Sequence, residues 1–175
     1  MSASMKPLSL YGGVVGPNPS KIGFIVHELS LPYEAIQIAF TAVKEPSYTA
    51  INPNGRLPAL YDPNTDLTVW ESGAIIEYLI ATYDTEHKLS FPQGSHEDWH
   101  CKQYLYFQVS GQGPYYGQAN WFNVAHPERL PSAIERYKNE IKRVTGVLER
   151  VLEGKEWLVG GKCTYADLAF IPWFV

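Results

Sequence analysis

Chemistry in this chain is carried by a few short stretches. Asn18 and Ser20 flank Pro19 just before a helical pattern. A helix start has unpaired backbone N–H groups and the positive end of the helix dipole, so it favours an anion. The amide of Asn18 and the hydroxyl of Ser20 add side-chain donors there. Asn18 equally suits a plain N-cap, with Pro19 at the first helical position. Glu71 and Ser72 stand at a second helix start. The Ser72 hydroxyl and the N–H groups behind it suit a carboxylate, and Glu71 suits an ammonium group. The bland alternative is a serine cap preceded by an exposed acid. Tyr115, Tyr116, Gln118, Trp121 and Phe122 follow a Gly-Pro break and can line an apolar pocket with a few polar tips, or simply pack.

His96-Glu97-Asp98-Trp99-His100 matches H-E-x-x-H, a zinc-protease pattern. A zinc site needs a third ligand, and His126 and Glu128 lie beyond the Gly-Pro break. The segment is read as a polar first helical turn with no metal, its acids placed to suit the dipole. Cys101 and Cys163 form no CxxC pair and no disulfide framework. They read as free thiols of a reducing compartment, and with no apolar signal segment in Met1–Pro7 the expected location is cytoplasmic. Cysteine is absent from residues 1–100, so no N-terminal cysteine nucleophile is available. Fourteen basic against eighteen acidic residues give a net charge of -4, which argues against a nucleic-acid binder. The longest apolar run, Leu168 to Val175, is too short to cross a bilayer. At 45% hydrophobic residues, 175 residues can bury a core without disulfides or metal.

The elements that must position these groups follow from periodicity. Leu8 to Tyr11 is a buried strand ending at Gly12-Gly13. Ile22, Ile25, Val26 and Leu29 form a helical stripe, and Ile36, Ile38 and Phe40 alternate as a strand. Residues 44–51 predict a short helix, and Asn52-Pro53-Asn54-Gly55 a turn. Strands at 59–61 and 67–70 are joined by a hairpin loop, and Ser72 caps a helix carrying Ile76, Leu79, Ile80 and Tyr83. The order is β-α-β-α-β-β-α over residues 1–84. After a polar connection, 85–94, only helices are predicted, over 95–175. One runs from Ser95 to Val109 and is interrupted or kinked at Gly111–Pro114. Another has Ile134, Tyr137, Ile141, Val144, Leu148 and Val151 at spacings of three and four, and ends at Gly154. A capping box at Thr164–Asp167 opens an apolar helix kinked at Pro172. The chain stops within this helix, so an incomplete helical domain with further residues downstream is expected.

Three motifs in this order resemble the cytosolic glutathione transferases. Asn52-Pro53-Asn54-Gly55-Arg56-Leu57-Pro58-Ala59-Leu60 is similar to the family's turn and cis-proline segment. Trp70-Glu71-Ser72-Gly73-Ala74-Ile75 is similar to its glutathione carboxylate site, and Gly161 with Thr164 to Asp167 to its second-domain capping motif. Gly16-Pro17-Asn18-Pro19-Ser20-Lys21 and Gly111 to Gln118 resemble the fungal branch that includes the yeast nitrogen regulator's globular domain, and the bacterial nu class.

The resemblance implies a thioredoxin-like α/β N-terminal domain and an all-α C-terminal domain. It implies glutathione as co-substrate, a small apolar electrophile as second substrate, and a homodimer. Free glutathione is only about 3% thiolate at neutral pH, and the thiolate is the nucleophile, so the enzyme must favour it. In this branch Asn18 is the implied activator, with Ser20 the rival donor. Glu71 and Ser72 would hold the γ-glutamyl end. A cis bond before Pro58 would turn the Leu57 backbone to the cysteinyl part, and Lys44 or Arg56 would meet the glycyl carboxylate. Tyr115, Tyr116, Gln118, Trp121 and Phe122 would form the electrophile site, two or three of them as core only. Conjugation, double-bond isomerisation in secondary metabolism, and disulfide or peroxide reduction use the same thiolate, so the motifs leave them open. A regulatory module without activity remains a further alternative.

Overall fold

The computed structural model describes residues 5–13 and 16–174. They form two compact units, divided between Lys88 and Leu89.

The first unit is built on a four-stranded sheet of order β2-β1-β3-β4. β1 (Leu8–Tyr11) pairs parallel with β2 (Tyr33–Ile36), Leu8 opposite Tyr33. A parallel pair needs a crossover, and α1 (Pro17–Glu28) supplies it. β1 also pairs antiparallel with β3 (Ala59–Asp62), Leu10 opposite Leu60. β3 and β4 (Leu67–Trp70) form the hairpin that five loop residues require. Leu8 and Leu10 are buried and Ser9 and Tyr11 are half-buried, the period-two alternation of a strand with one core face. The core is completed by Ile22, Ile25 and Val26 of α1 and by Ile75, Ile76 and Leu79 of α3 (Ser72–Tyr83). Asp62 is buried at the hairpin and accepts hydrogen bonds from Asn64 N at 2.8 Å, Tyr78 Oη at 2.6 Å and Tyr83 Oη. Burial alone would raise its pKa, but the tyrosine and Asn64 hydrogen bonds outweigh it and hold the carboxyl below its usual value.

Three boundaries differ from the periodicity. β2 ends at Ile36, where Gly12 N donates to Ile36 O at 2.8 Å, and residues 37–40 leave the sheet. Ile38 and Phe40 alternate in sequence without a ladder partner, and Phe40 is exposed. The predicted helix over 44–51 is a single turn, α2 (Pro46–Thr49). The α1 cap is Gly16, at φ 86, with Pro17 in the first turn; Asn18 lies inside that turn and is not the cap.

The elements described in the second unit are all helical. α4 (His96–Phe107) is capped by Ser95, whose Oγ accepts from Asp98 N at 3.1 Å. The Gly-rich segment does not break the chain of turns. Residues 108–112 form a π-turn that runs into α5 (Gly113–Asn120), and a second π-turn covers 121–125. Buried Gln108 and Gln112 hydrogen-bond each other at 3.1 Å, and Gln112 donates to Phe170 O at 3.2 Å. α6 (Pro131–Leu152) buries Val144 and Leu148. α7 (Tyr165–Phe170) is shorter than expected: Pro172 cannot donate to the helix ladder, and residues 171–173 tighten into a 3-10 turn. Val175, where that helix was expected to continue, lies outside the described residues.

The expected capping box is present. Asp167 Oδ2 accepts from Thr164 N and Thr164 Oγ1, each at 2.8 Å, while Oδ1 accepts from Leu158 N at 2.9 Å. Among the described residues no helix is long and apolar enough to cross a membrane. Asp167→Ala removes three hydrogen bonds to one charged group and leaves the Leu158 and Thr164 amides unpaired. A loss of about 2–4 kcal/mol is expected, read as a lower urea midpoint at unchanged slope.

Candidate functional site

A network around the turn at 52–56 organises the site in the first unit. The Asn52 side chain is buried and donates to Arg56 O at 2.7 Å, while its Oδ1 accepts from Asn54 N at 3.0 Å. Gly55 N donates to Asn52 O at 2.9 Å, and Tyr48 Oη donates to Arg56 O at 2.8 Å. Gly55 sits at φ 59, and a Cβ there would meet Val43 O at 2.7 Å, so the position requires glycine. Lys44 Nζ reaches over the turn to Asn54 O at 2.9 Å. Arg56 is exposed, and the Leu57–Pro58 bond that follows is cis.

The same turn reaches the start of α3. Asn54 Nδ2 donates to Glu71 Oε1 at 3.2 Å. Glu71, not Ser72, is the α3 N-cap residue. It adopts φ 72, which non-glycine residues rarely occupy and which clusters at functional sites. Ser72 is therefore the first helical residue, and it is buried. The result is an exposed carboxylate directly ahead of a buried hydroxyl and the first N–H groups of a helix. That arrangement suits a ligand carrying an ammonium and a carboxylate on one carbon.

At the start of α1, Asn18 is half-buried in the first turn. Ser20 Oγ donates to Gly16 O at 2.8 Å, so its proton is directed into the helix itself. Lys21, in the same turn, was not anticipated as a site residue. It is fully buried, and burial lowers its ammonium pKa to about 7 while the Glu71 carboxylate pulls the other way. The signal was present: Lys21 stands four residues before Ile25, on the apolar face of α1. Asn52 and Asn54, read only as turn residues, are the other two that join this network.

The aromatic group lies in the second unit and does not behave as one set. Phe122 stacks on Tyr137 at 5.5 Å, and Tyr115 lies 6.5 Å from the same ring. Tyr116 packs edge-on against Trp173 and Phe174, and its hydroxyl lies 2.8 Å from Thr145 Oγ1. Trp121 and Gln118 stay exposed. A cavity of about 490 Å³ in this unit is lined by other residues, among them Leu148, Leu152, Trp157, Phe170 and Phe174. His96 and His100 are exposed on α4, and no cluster of three metal-ligating side chains occurs among the described residues. Burial pushes the Cys101 thiol pKa up to about 11, which leaves it a packing residue.

Comparison with known proteins decides the family. Residues 6–81 match the glutathione S-transferase N-terminal domain, and residues 103–175 match the glutathione S-transferase C-terminal domain. The chain belongs to the glutathione S-transferases. It is 57% identical to the glutathione S-transferase-like protein tpcF of Aspergillus fumigatus, over 98% of this chain and 79% of that protein. Among solved structures it resembles the transferase URE2P6 of Phanerochaete chrysosporium in complex with oxidised glutathione. There the TM-score is 0.92 at 54% identity, over 99% of this chain and 80% of that one. Ure2p5 of the same fungus, cocrystallised with 1-(S-glutathionyl)-2,4-dinitrobenzene, matches with TM-score 0.86 at 45% identity, over 98% and 76%. These relatives place the chain in the fungal Ure2-like branch, with the thioredoxin-like and helical domains of the transferase fold.

Two outcomes test this geometry. Gly55→Ala places a methyl group against Val43 O at a positive φ, with an expected cost of about 1–3 kcal/mol in urea denaturation. Lys21 sets a pH slope. Unfolded, its pKa is near 10.5, and folded it is about 7, so between these values the unfolded chain holds more protons and stability rises with pH. Lys21→Met removes that contribution. The variant is expected to be more stable than the parent at pH 7, with the difference shrinking as pH approaches 10.

Proposed function

We propose that the chain binds glutathione in its first unit and activates the thiol for attack on a small apolar electrophile. The observation that carries this reading is the Glu71–Ser72 junction: a carboxylate held by Asn54 in a left-handed conformation, ahead of a buried serine at the start of α3. In this reading Glu71 takes the γ-glutamyl ammonium, and Ser72 with the α3 N–H groups takes the α-carboxylate. The Leu57 backbone, next to Pro58, pairs with the cysteinyl part. Lys44 and Arg56 supply positive charge for the glycyl carboxylate. The relatives crystallised with oxidised glutathione and with a glutathionyl dinitrobenzene support this ligand class.

The sulfur is assigned to the start of α1. There the Asn18 amide donates to it, and the helix dipole favours the thiolate over the thiol. Ser20 is the weaker candidate, because its hydroxyl already donates to Gly16 O. Each unit by which the thiol pKa falls is worth about 1.4 kcal/mol of thiolate stabilisation. The thiol proton leaves to solvent, the thiolate forms the S–C bond, and the leaving group departs with its electron pair. Gln118 and Trp121, exposed, together with Tyr115, Tyr116 and Phe122, are assigned to the electrophile. We assign residues 1–84 to the glutathione domain, 85–94 to the linker and 95–175 to the helical domain.

A second reading, glutathione-dependent disulfide reduction, is favoured by the oxidised glutathione bound to URE2P6. It uses the same thiolate. Calorimetry of glutathione binding, followed by assay with 1-chloro-2,4-dinitrobenzene, tests the assignment. Ser72→Ala is expected to weaken binding about tenfold or more, as loss of a charge-assisted hydrogen bond implies. Asn18→Ala is expected to bind normally and turn over at least tenfold more slowly. A parent protein that binds no glutathione at millimolar concentration overturns the reading in favour of a regulatory module.

A further inference from the structure

Asn54 is bonded through its N–H, its carbonyl and its side-chain amide. The N–H donates to Asn52 Oδ1 at 3.0 Å, the carbonyl accepts from Lys44 Nζ at 2.9 Å, and Nδ2 donates to Glu71 Oε1 at 3.2 Å. Pro53 ahead of it has a fixed φ, and Gly55 behind it donates its N–H to Asn52 O at 2.9 Å. Asn54 is exposed, yet its backbone is pinned to the buried Asn52. Glu71 is held differently. Its carbonyl accepts from Ile75 N at 2.9 Å, which fixes the backbone, while the side chain stands exposed. An exposed glutamate samples several rotamers, and a ligand that takes its carboxylate must order it, which weakens binding. The bond from Asn54 orders that carboxylate before any ligand arrives.

We propose that Asn54 is a positioning residue that sets the site's preference for a ligand with a free α-amino group, by holding the Glu71 carboxylate ready for the ammonium. The proposal rests on the assignment of Glu71 to the γ-glutamyl ammonium. An amide suits this task because it is a neutral donor. It engages one carboxylate oxygen and leaves the negative charge in place, where a lysine or arginine would neutralise it and compete with the ligand. Asn54 also occupies the nearby cation. Lys44 Nζ bonds to the Asn54 carbonyl, and the Glu71 carboxylate bonds to the Asn54 side chain. One residue thus holds a cation and an anion on two different groups, each against a neutral partner. Glutathione then brings an ammonium to the anion and a glycyl carboxylate to the cation. The two roles of Asn54 separate on substitution, since a side-chain change removes the hold on Glu71 and keeps the carbonyl that holds Lys44.

The test compares two ligands that differ only at the α-amino group. One is S-hexylglutathione. The other is its desamino analogue, S-hexyl-(glutaryl-cysteinyl-glycine), which keeps the α-carboxylate and has hydrogen in place of the amine. Neither carries a thiol that can oxidise. Calorimetry gives the affinity of each for the parent protein and for Asn54→Ala, whose exposed position leaves the fold intact. The parent is expected to bind S-hexylglutathione about tenfold or more tightly than the analogue, as an ammonium–carboxylate contact implies. Asn54→Ala is expected to weaken S-hexylglutathione by about three- to tenfold and to leave the analogue within about twofold of the parent value. A residue that merely shapes the turn would weaken both ligands alike, and that result overturns the proposal. So does an Asn54→Ala protein that keeps the parent's full preference between the two. A parent protein that binds both ligands equally overturns the Glu71 assignment itself, and the proposal with it.

Discussion

The carboxamide of Asn52 holds the first unit's working surface in place. Buried, with both ends engaged, it closes the turn by donating to Arg56 O and accepting from Asn54 N. A buried amide left half-paired costs about 1–3 kcal/mol, so the turn has one low-energy arrangement. From it follow the tight passage at Gly55, where no Cβ fits against Val43 O, and the direction of Asn54 toward Glu71. The segment that leads into β3 begins where the turn ends, so the sheet and the α3 start are referenced to the same few atoms. Two charged side chains beside the turn, Lys44 and Glu71, each bond to Asn54, one through its carbonyl and the other through its side chain.

The two units solve different problems. The first fixes polar groups at helix starts, where backbone N–H groups and dipoles come without extra side chains. The second is mostly apolar packing: buried Gln108 pairs with Gln112 and Gln112 with Phe170 O, half-buried Lys162 donates to Ser90 O, half-buried Asp167 accepts from three donors, and buried Trp173 Nε1 has no hydrogen-bond partner. The fold alone does not choose the chemistry.

Much of this was legible in the sequence, for reasons that can be named. The strand and helix order followed from periodicity, and the hairpin from Asp62 to Asp66, because so short a polar loop cannot hold a crossover. The capping box at Thr164 was readable because its geometry is local. The misreadings also have local causes. Asn18 looked like a cap because asparagine favours that position, but Pro17 starts the helix earlier and Gly16 takes the positive φ. Ser72 looked like the cap because serine is a better cap than glutamate, yet Glu71 holds that place in a conformation no propensity scale predicts. Ile38 and Phe40 alternate as a strand does, but alternation does not supply a partner. Lys21 was overlooked because a charged residue interrupts the stripe that defines a helix face. It can be recognised only once that face is known to be dry.

The two π-turns have a consequence for how this helical segment tolerates change in length. Each replaces i to i+4 closure by i to i+5, which amounts to one extra residue wound into an otherwise continuous rod. Since a residue advances the helix by about 100°, each bulge turns every later side chain by that angle relative to a straight helix. Removing a single codon between 108 and 112 would take away the extra residue and the bulge together, without breaking the rod. Tyr115, Tyr116 and the aromatic rings beyond them would keep the face they now present. A change of one residue in gene length is thus absorbed where it occurs, and the surface that follows is insulated from it.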